Sequence, residues 1–184
     1  YSPNQVTNIH KDVPRPLMGR TELTSWTSTE GFEIEGLLTY PVDYQEGQSV
    51  PLILNVHGGP GGVFSQGFTG APSIYMLQYF AQKGFAILRP NPRGSTGYGK
   101  DFRYANFQDW GFGDFRDLMA GVDHVIAMGV ADADQLLLMG WSYGGYMTSW
   151  AVTQTDRFKA ASMGAGLPNL ISMTTTTDIQ DYLV

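Results

Sequence analysis

From Pro51 onward the sequence alternates short apolar runs with helix-patterned segments, and no other feature limits the possible folds as much. The runs cover residues 52–56, 85–88, 136–139 and 160–165. Each has the length and composition of a strand buried on both faces. Between the first two, Ile74, Leu77, Phe80 and Ala81 recur at helical spacing, with Ser73 as the expected N-cap and Gly84 as the stop. A second stripe of Phe115, Leu118, Met119, Val122, Val125 and Ile126 follows Asp114 and ends before Gly129. A third helix is expected over residues 143–154. Strands and helices in this order require right-handed crossovers, which predicts an α/β fold with a doubly wound, mostly parallel sheet. Ligands of such sheets sit beyond the carboxyl ends of the strands, so the loops after Val56, Leu88 and Met139 are where function is expected.

Ahead of this region, residues 1–19 are polar, carry prolines at positions 3, 14 and 16, and read as an extended lead-in. Residues 21–26 and 32–40 have strand character and are joined through Thr29-Glu30-Gly31, which suits an antiparallel hairpin at a sheet edge. A chain of 184 residues with 42% hydrophobic content holds one domain with a real core. Residues 20–184 are therefore taken as a single unit.

Several function classes drop out on composition. The net charge is −6 and the 11 basic residues are scattered, so neither nucleic acid nor an anionic membrane is an expected partner. No apolar stretch approaches the ~18 residues of a membrane span, and the first residues lack a signal peptide's pattern, so a soluble chain is expected. With no cysteine, disulfides and thiolate catalysis are excluded; the compartment stays open, with the cytoplasm favoured. Three separated histidines, His10, His57 and His124, make no metal site of usual spacing, and no metal or cofactor is expected.

The chemistry lies in two glycine-rich segments. Directly after the run at residues 136–139 comes Gly140-Trp141-Ser142-Tyr143-Gly144-Gly145, which fits the G-x-S-x-G nucleophile elbow at a strand-to-helix junction. Gly140 and Gly144 are the glycines such a sharp turn requires, because a side chain at either place would meet neighbouring backbone. Ser142 would then present its hydroxyl at the start of a helix, whose N-terminal dipole favours developing negative charge. The plain alternative is a glycine-rich turn with a capping serine.

His57-Gly58-Gly59-Pro60-Gly61-Gly62 follows the run at residues 52–56, where hydrolases of the HGGG type carry an oxyanion-hole loop. One donor is expected from the Tyr143 amide and the other from the stretch at Gly58 and Gly59. His57 is expected to hold this loop in place and not to act as the base. In this fold the triad runs Ser, Asp or Glu, then His, and no histidine follows Ser142. Asp156, Asp178 and Asp181 follow it but read as caps or surface residues, and His124 reads as a packed helix residue.

The elbow continuing through Tyr146-Met147, the loop from His57 to Gly62, and Asn91-Pro92-Arg93-Gly94-Ser95-Thr96-Gly97-Tyr98-Gly99 together resemble the prolyl oligopeptidase family of serine peptidases, nearest its acylaminoacyl and dipeptidyl peptidases. The resemblance implies an α/β-hydrolase catalytic domain preceded by a β-propeller, with residues 1–19 as the exit from that propeller. It implies Ser142 as nucleophile, the Gly59 and Tyr143 amides as oxyanion donors, the Tyr143 ring as a wall of an apolar substrate pocket, and a peptide or N-acylated amino acid as substrate. The loop from Arg93 to Gly99 is expected to shape the site without taking part in catalysis. Measured against the family, the sheet is expected to be incomplete at its C-terminus. The catalytic Asp and His, and the propeller, would then belong to a missing segment, leaving this chain alone nearly inert. A carboxylesterase of the same fold and a non-catalytic fragment that needs a partner chain are the alternatives.

Overall fold

The computed structural model describes residues 4–9, 11–14 and 16–179. The chain forms strands β1 (Thr21–Thr27), β2 (Glu33–Thr39), β3 (Val50–Val56), β4 (Ala86–Asn91), β5 (Ala131–Trp141) and β6 (Phe158–Gly164). They make one sheet in the order β1-β2-β4-β3-β5-β6. The first two strands form the expected edge hairpin, with Thr21 opposite Thr39 and Thr27 opposite Glu33. β2 runs antiparallel to β4, whereas β4, β3, β5 and β6 are mutually parallel neighbours. This is the mostly parallel sheet of an α/β-hydrolase fold.

Helices α1 (Leu77–Gln82), α2 (Lys100–Tyr104), α3 (Gly113–Ala127), α4 (Tyr143–Gln154) and α5 (Leu170–Thr176) complete the elements. Alternation along the strands creates two cores. On one face Leu52, Leu54 and Leu88 pack with Leu118, Val122 and Met147 of α3 and α4. On the other, Ile53, Ile87 and Met139 pack with Leu77 and Ala81 of α1. The lead-in docks on the same helix: Gly19 N–H donates to Gln78 Oε1 at 2.8 Å, and Gln82 Nε2 donates to the Leu17 carbonyl at 3.1 Å. His10 and Asp181 lie outside the described residues.

Several boundaries differ from the sequence reading, each for a local reason. α1 begins at Leu77, and Ile74 is exposed ahead of it. The Ser73 hydroxyl donates to the Tyr75 carbonyl and so does not cap the helix. β4 continues through Arg89 and Pro90, which interrupt the apolar run but stay buried. β5 starts five residues before its apolar run, at Ala131, where a register shift against β3 accommodates the residues ahead of Leu136. The Thr-rich segment after β6 forms α5, because Asn169 Oδ1 accepts the Ser172 amide at 2.9 Å and starts a helix there.

Candidate active site

β5 ends at Trp141, α4 starts at Tyr143, and Ser142 alone makes the turn, with φ 60° and ψ −119°. A non-glycine residue held there carries roughly 1–3 kcal/mol of strain. The flanking glycines make the turn feasible. A Cβ at Gly140 would lie 2.2 Å from the Gly144 carbonyl oxygen, and one at Gly144 would lie 2.1 Å from the Val56 carbonyl oxygen. The Ser142 backbone is pinned at both ends: its N–H donates to the Gly164 carbonyl, and its carbonyl accepts from the Tyr146 amide, both at 3.0 Å. Its side chain makes no cap on α4, and the hydroxyl has no hydrogen-bond partner among the described residues.

Because Val56 of β3 pairs with Gly140 of β5, the two strands deliver their following loops to the same place. A Cβ at Gly58 would stand 3.3 Å from Ser142 Cβ and 3.8 Å from Ser142 Oγ, so the loop backbone lies directly against the serine. The Gly62 amide closes the loop on the Gly58 carbonyl at 3.1 Å. Among the described residues, neither the Gly59 nor the Tyr143 amide has an acceptor. The Tyr143 amide is also in the first turn of α4, where N–H groups lack intrahelical partners and the helix dipole is positive.

The sequence assigned the loop after β4 a shaping role, and its contacts are extensive. His57 is buried; its Nε2 lies 2.9 Å from Ser95 Oγ, and its Nδ1 lies 2.8 Å from the Gly58 carbonyl. Burial holds the imidazole pKa below its usual value, against the opposing effect of the Gly58 carbonyl, so the ring is neutral at pH 7. Asn91 spans the same region, accepting the Phe64 amide at 2.8 Å and donating to the Phe64 carbonyl at 3.0 Å and the Tyr98 hydroxyl at 2.9 Å. Arg93 anchors the far side. Its amide and Nε each reach Asp117 Oδ2 at 2.9 Å, Nη2 reaches Asp117 Oδ1 at 2.8 Å, and Nη1 reaches Glu30 Oε2 at 2.5 Å. Burial opposes its charge, but the two carboxylates outweigh burial and raise its pKa.

The Tyr143 ring, expected on a pocket wall, is instead in the core: it packs edge-on against Trp110 and beside Tyr146, at centroid distances of 5.0 and 5.3 Å. Its hydroxyl donates to Asp114, and this buried acceptor draws the ring inward. Burial, followed by the nearby Asp114 charge, raises the phenol pKa. In the sequence Asp114 stands out only as a residue at a helix start. Burial pushes its carboxyl up to about 6, although the Tyr143 hydroxyl and the Phe115 and Gly111 amides all favour the charged form.

The remaining ionisable candidates stand apart from Ser142. His124 sits on α3, hydrogen-bonded to Thr24 Oγ1 at 2.8 Å and stacked on Trp26. Asp156 and Asp178 are exposed beyond the ends of α4 and α5. Among the described residues, no group of three or more acidic or histidine side chains could hold a metal, and no helix is long and apolar enough to cross a membrane. Asn91, Ser95 and Asp114 support the site through contacts that the sequence alone does not show. The first two fall inside the glycine-rich segment after β4, which was the available signal.

The chain has relatives among known proteins. The prolyl oligopeptidase family matches residues 72–183. The peptidase YuxL of Bacillus subtilis is 38% identical over 159 residues, covering 86% of this chain and 23% of that protein. Dipeptidyl aminopeptidase BIII of Pseudoxanthomonas mexicana is 41% identical over 128 residues, covering 69% and 18%. The uncomplexed acylaminoacyl peptidase of Pyrococcus horikoshii superposes with a TM-score of 0.84 at 32% identity, over 97% of this chain and 28% of that one. The chain thus spans less than a third of the length of each of these relatives.

Proposed function

Since the chain belongs to the prolyl oligopeptidase family, we propose that the protein carrying it is a serine peptidase that acts on short peptides or N-acylated amino acids. Ser142 Oγ attacks the scissile carbonyl carbon, and its proton passes to a general base. The carbonyl oxygen becomes an oxyanion held by the Gly59 and Tyr143 amides. Collapse of this intermediate expels the amine, which takes up a proton, and leaves an acyl-serine ester that water then hydrolyses. The observation that carries this reading is Ser142 itself: a strained serine, without a hydrogen-bond partner among the described residues, against a loop whose Gly59 amide has no acceptor among them either. The names of the relatives favour release of short N-terminal units, as dipeptidyl and acylaminoacyl peptidases do.

In this reading His57 is not the base, because both of its ring nitrogens are engaged, one by the Gly58 carbonyl and the other by Ser95 of the loop after β4. The histidine and carboxylate partners of Ser142 come from a part of the protein other than the described residues, as does a β-propeller that limits access to the site. Tyr143 contributes its amide, while its ring braces the helix start. The test uses the complete protein, a fluorophosphonate probe, and paired amide and ester substrates of an N-acetylated amino acid and a dipeptide. The wild type should be labelled at Ser142 and cleave the amides. Ser142→Ala should lose labelling and roughly 10⁴-fold or more of the turnover with its fold intact. Labelling without amide cleavage would move the assignment to an esterase; full turnover by Ser142→Ala would end it.

A further inference from the structure

On the α1 face of the sheet, the strands change character toward their carboxyl ends. Ile53 gives way to Asn55, Ile87 to Arg89 and Met139 to Trp141, so an apolar core becomes the lining of a cleft of ≈ 440 Å³. Phe64, Phe68 and Tyr75 supply aromatic walls, and Gly58 and Trp141 place the cleft beside the Ser142 turn. Arg89 is only 5% exposed. Its Nε and Nη2 are buried without any hydrogen-bond partner among the described residues, and the guanidinium faces the Phe64 ring at 5.4 Å. Burial lowers its pKa, with no carboxylate among the described residues to offset the effect.

A buried guanidinium without a counter-charge is costly, and such groups are found paired or bound to a ligand. We propose that this cleft is a carboxylate-binding site in which Arg89 supplies the cation and the Asn55 side chain a further donor. One guanidinium matches one monoanion; His57 is neutral and no other basic residue lines the cleft, so a dianion would keep an unbalanced charge. A guanidinium donates well to the oxygens of a carboxylate. The aromatic walls suit a carboxylate borne on an apolar skeleton, either a free ligand or a side chain from another part of the protein. The site stands independently of the role given to Ser142.

The test uses the complete protein and two matched probes, 3-phenylpropionate and 3-phenylpropionamide, titrated calorimetrically. Saturable binding of the acid but not the amide, weakened roughly tenfold or more by Arg89→Gln, establishes the site with a free carboxylate as its occupant. If neither probe binds, thermal melting decides. Arg89→Met below Arg89→Lys, and both below wild type, means that a carboxylate of the protein itself fills the cleft. Acid binding that survives Arg89→Gln overturns the proposal. So does absence of binding together with any other melting order, above all Arg89→Met at or above wild type, the result for a buried charge with nothing to meet.

Discussion

Arg89 and Arg93 lie four residues apart on one segment, and they are 5% and 3% exposed, yet their surroundings are opposite. Arg93 is saturated: Asp117, itself 0% exposed, takes its amide and two guanidinium nitrogens, Glu30 takes a third, and Phe32 lies 4.2 Å beneath. Ser28 adds its hydroxyl to Asp117 at 2.5 Å, so the β1–β2 turn, the loop after β4 and α3 meet at one carboxylate. Among the described residues, Arg89 has only an aromatic ring and a cleft. Equal burial therefore says little about what a charge does. The partners separate a cation that holds the fold from one that awaits a ligand.

The largest expected effect is on the saturated side. Arg93→Met strands the Asp117 carboxylate and should cost about 3–5 kcal/mol of stability in denaturant unfolding of the complete protein. If it costs no more than Arg89→Met, the contrast between the two arginines fails. Asp114 extends the contrast to a buried carboxylate that has donors but no cation. Its pKa is raised from 3.8 to about 6 in the fold. Its stabilising contribution is therefore complete below pH 3.8 and is lost as pH rises through 6, by about 3 kcal/mol. Asp114→Asn should flatten that stretch of the stability profile, and an unchanged slope would assign it to another group.

Ser95→Ala probes the same loop on the side of the cleft. It deprives buried His57 of one contact and should cost about 1–2 kcal/mol, with slower fluorophosphonate labelling of Ser142 as the loop relaxes. Labelling at the wild-type rate would show that His57 does not need Ser95. Glu30→Gln should have the smallest effect, because Glu30 is exposed. The hydrogen bond from Arg93 lowers its pKa, so its small contribution is present above the ordinary carboxylate range and is lost as pH falls through the lowered value. A loss as large as that of Arg93→Met would make Glu30, not Asp117, the main partner.

Much of this was legible because the demands are local. The elbow requires glycine at 140 and 144 whatever lies elsewhere, and a helix of 15 residues such as α3 shows its stripe plainly. What escaped depends on partners distant in sequence. Asp117 looks like one more polar residue on an amphipathic helix until Arg93, 24 positions earlier, folds onto it. Tyr143 follows the serine in a position that suits a pocket wall, and only the position of Asp114, 29 residues away, shows that its ring turns inward. Short elements were also hidden. α2 has five residues and α5 has seven, too few for a periodic signal. The first five residues of β5 have no buried alternation to reveal them.

The sheet order has a consequence for synthesis. Of the strands in this sheet the β1–β2 hairpin is made before the others, but β2 pairs with β4 and not with β3, the next strand made. About fifty residues must still be added after β2 before β4 is whole, a wait of several seconds at ~5–20 residues per second. Throughout that interval the inner edge of β2 has no native strand to pair with. The order of pairing thus departs from the order of translation: the hairpin waits for β4, and the strand made between them finds its place on the other side of β4.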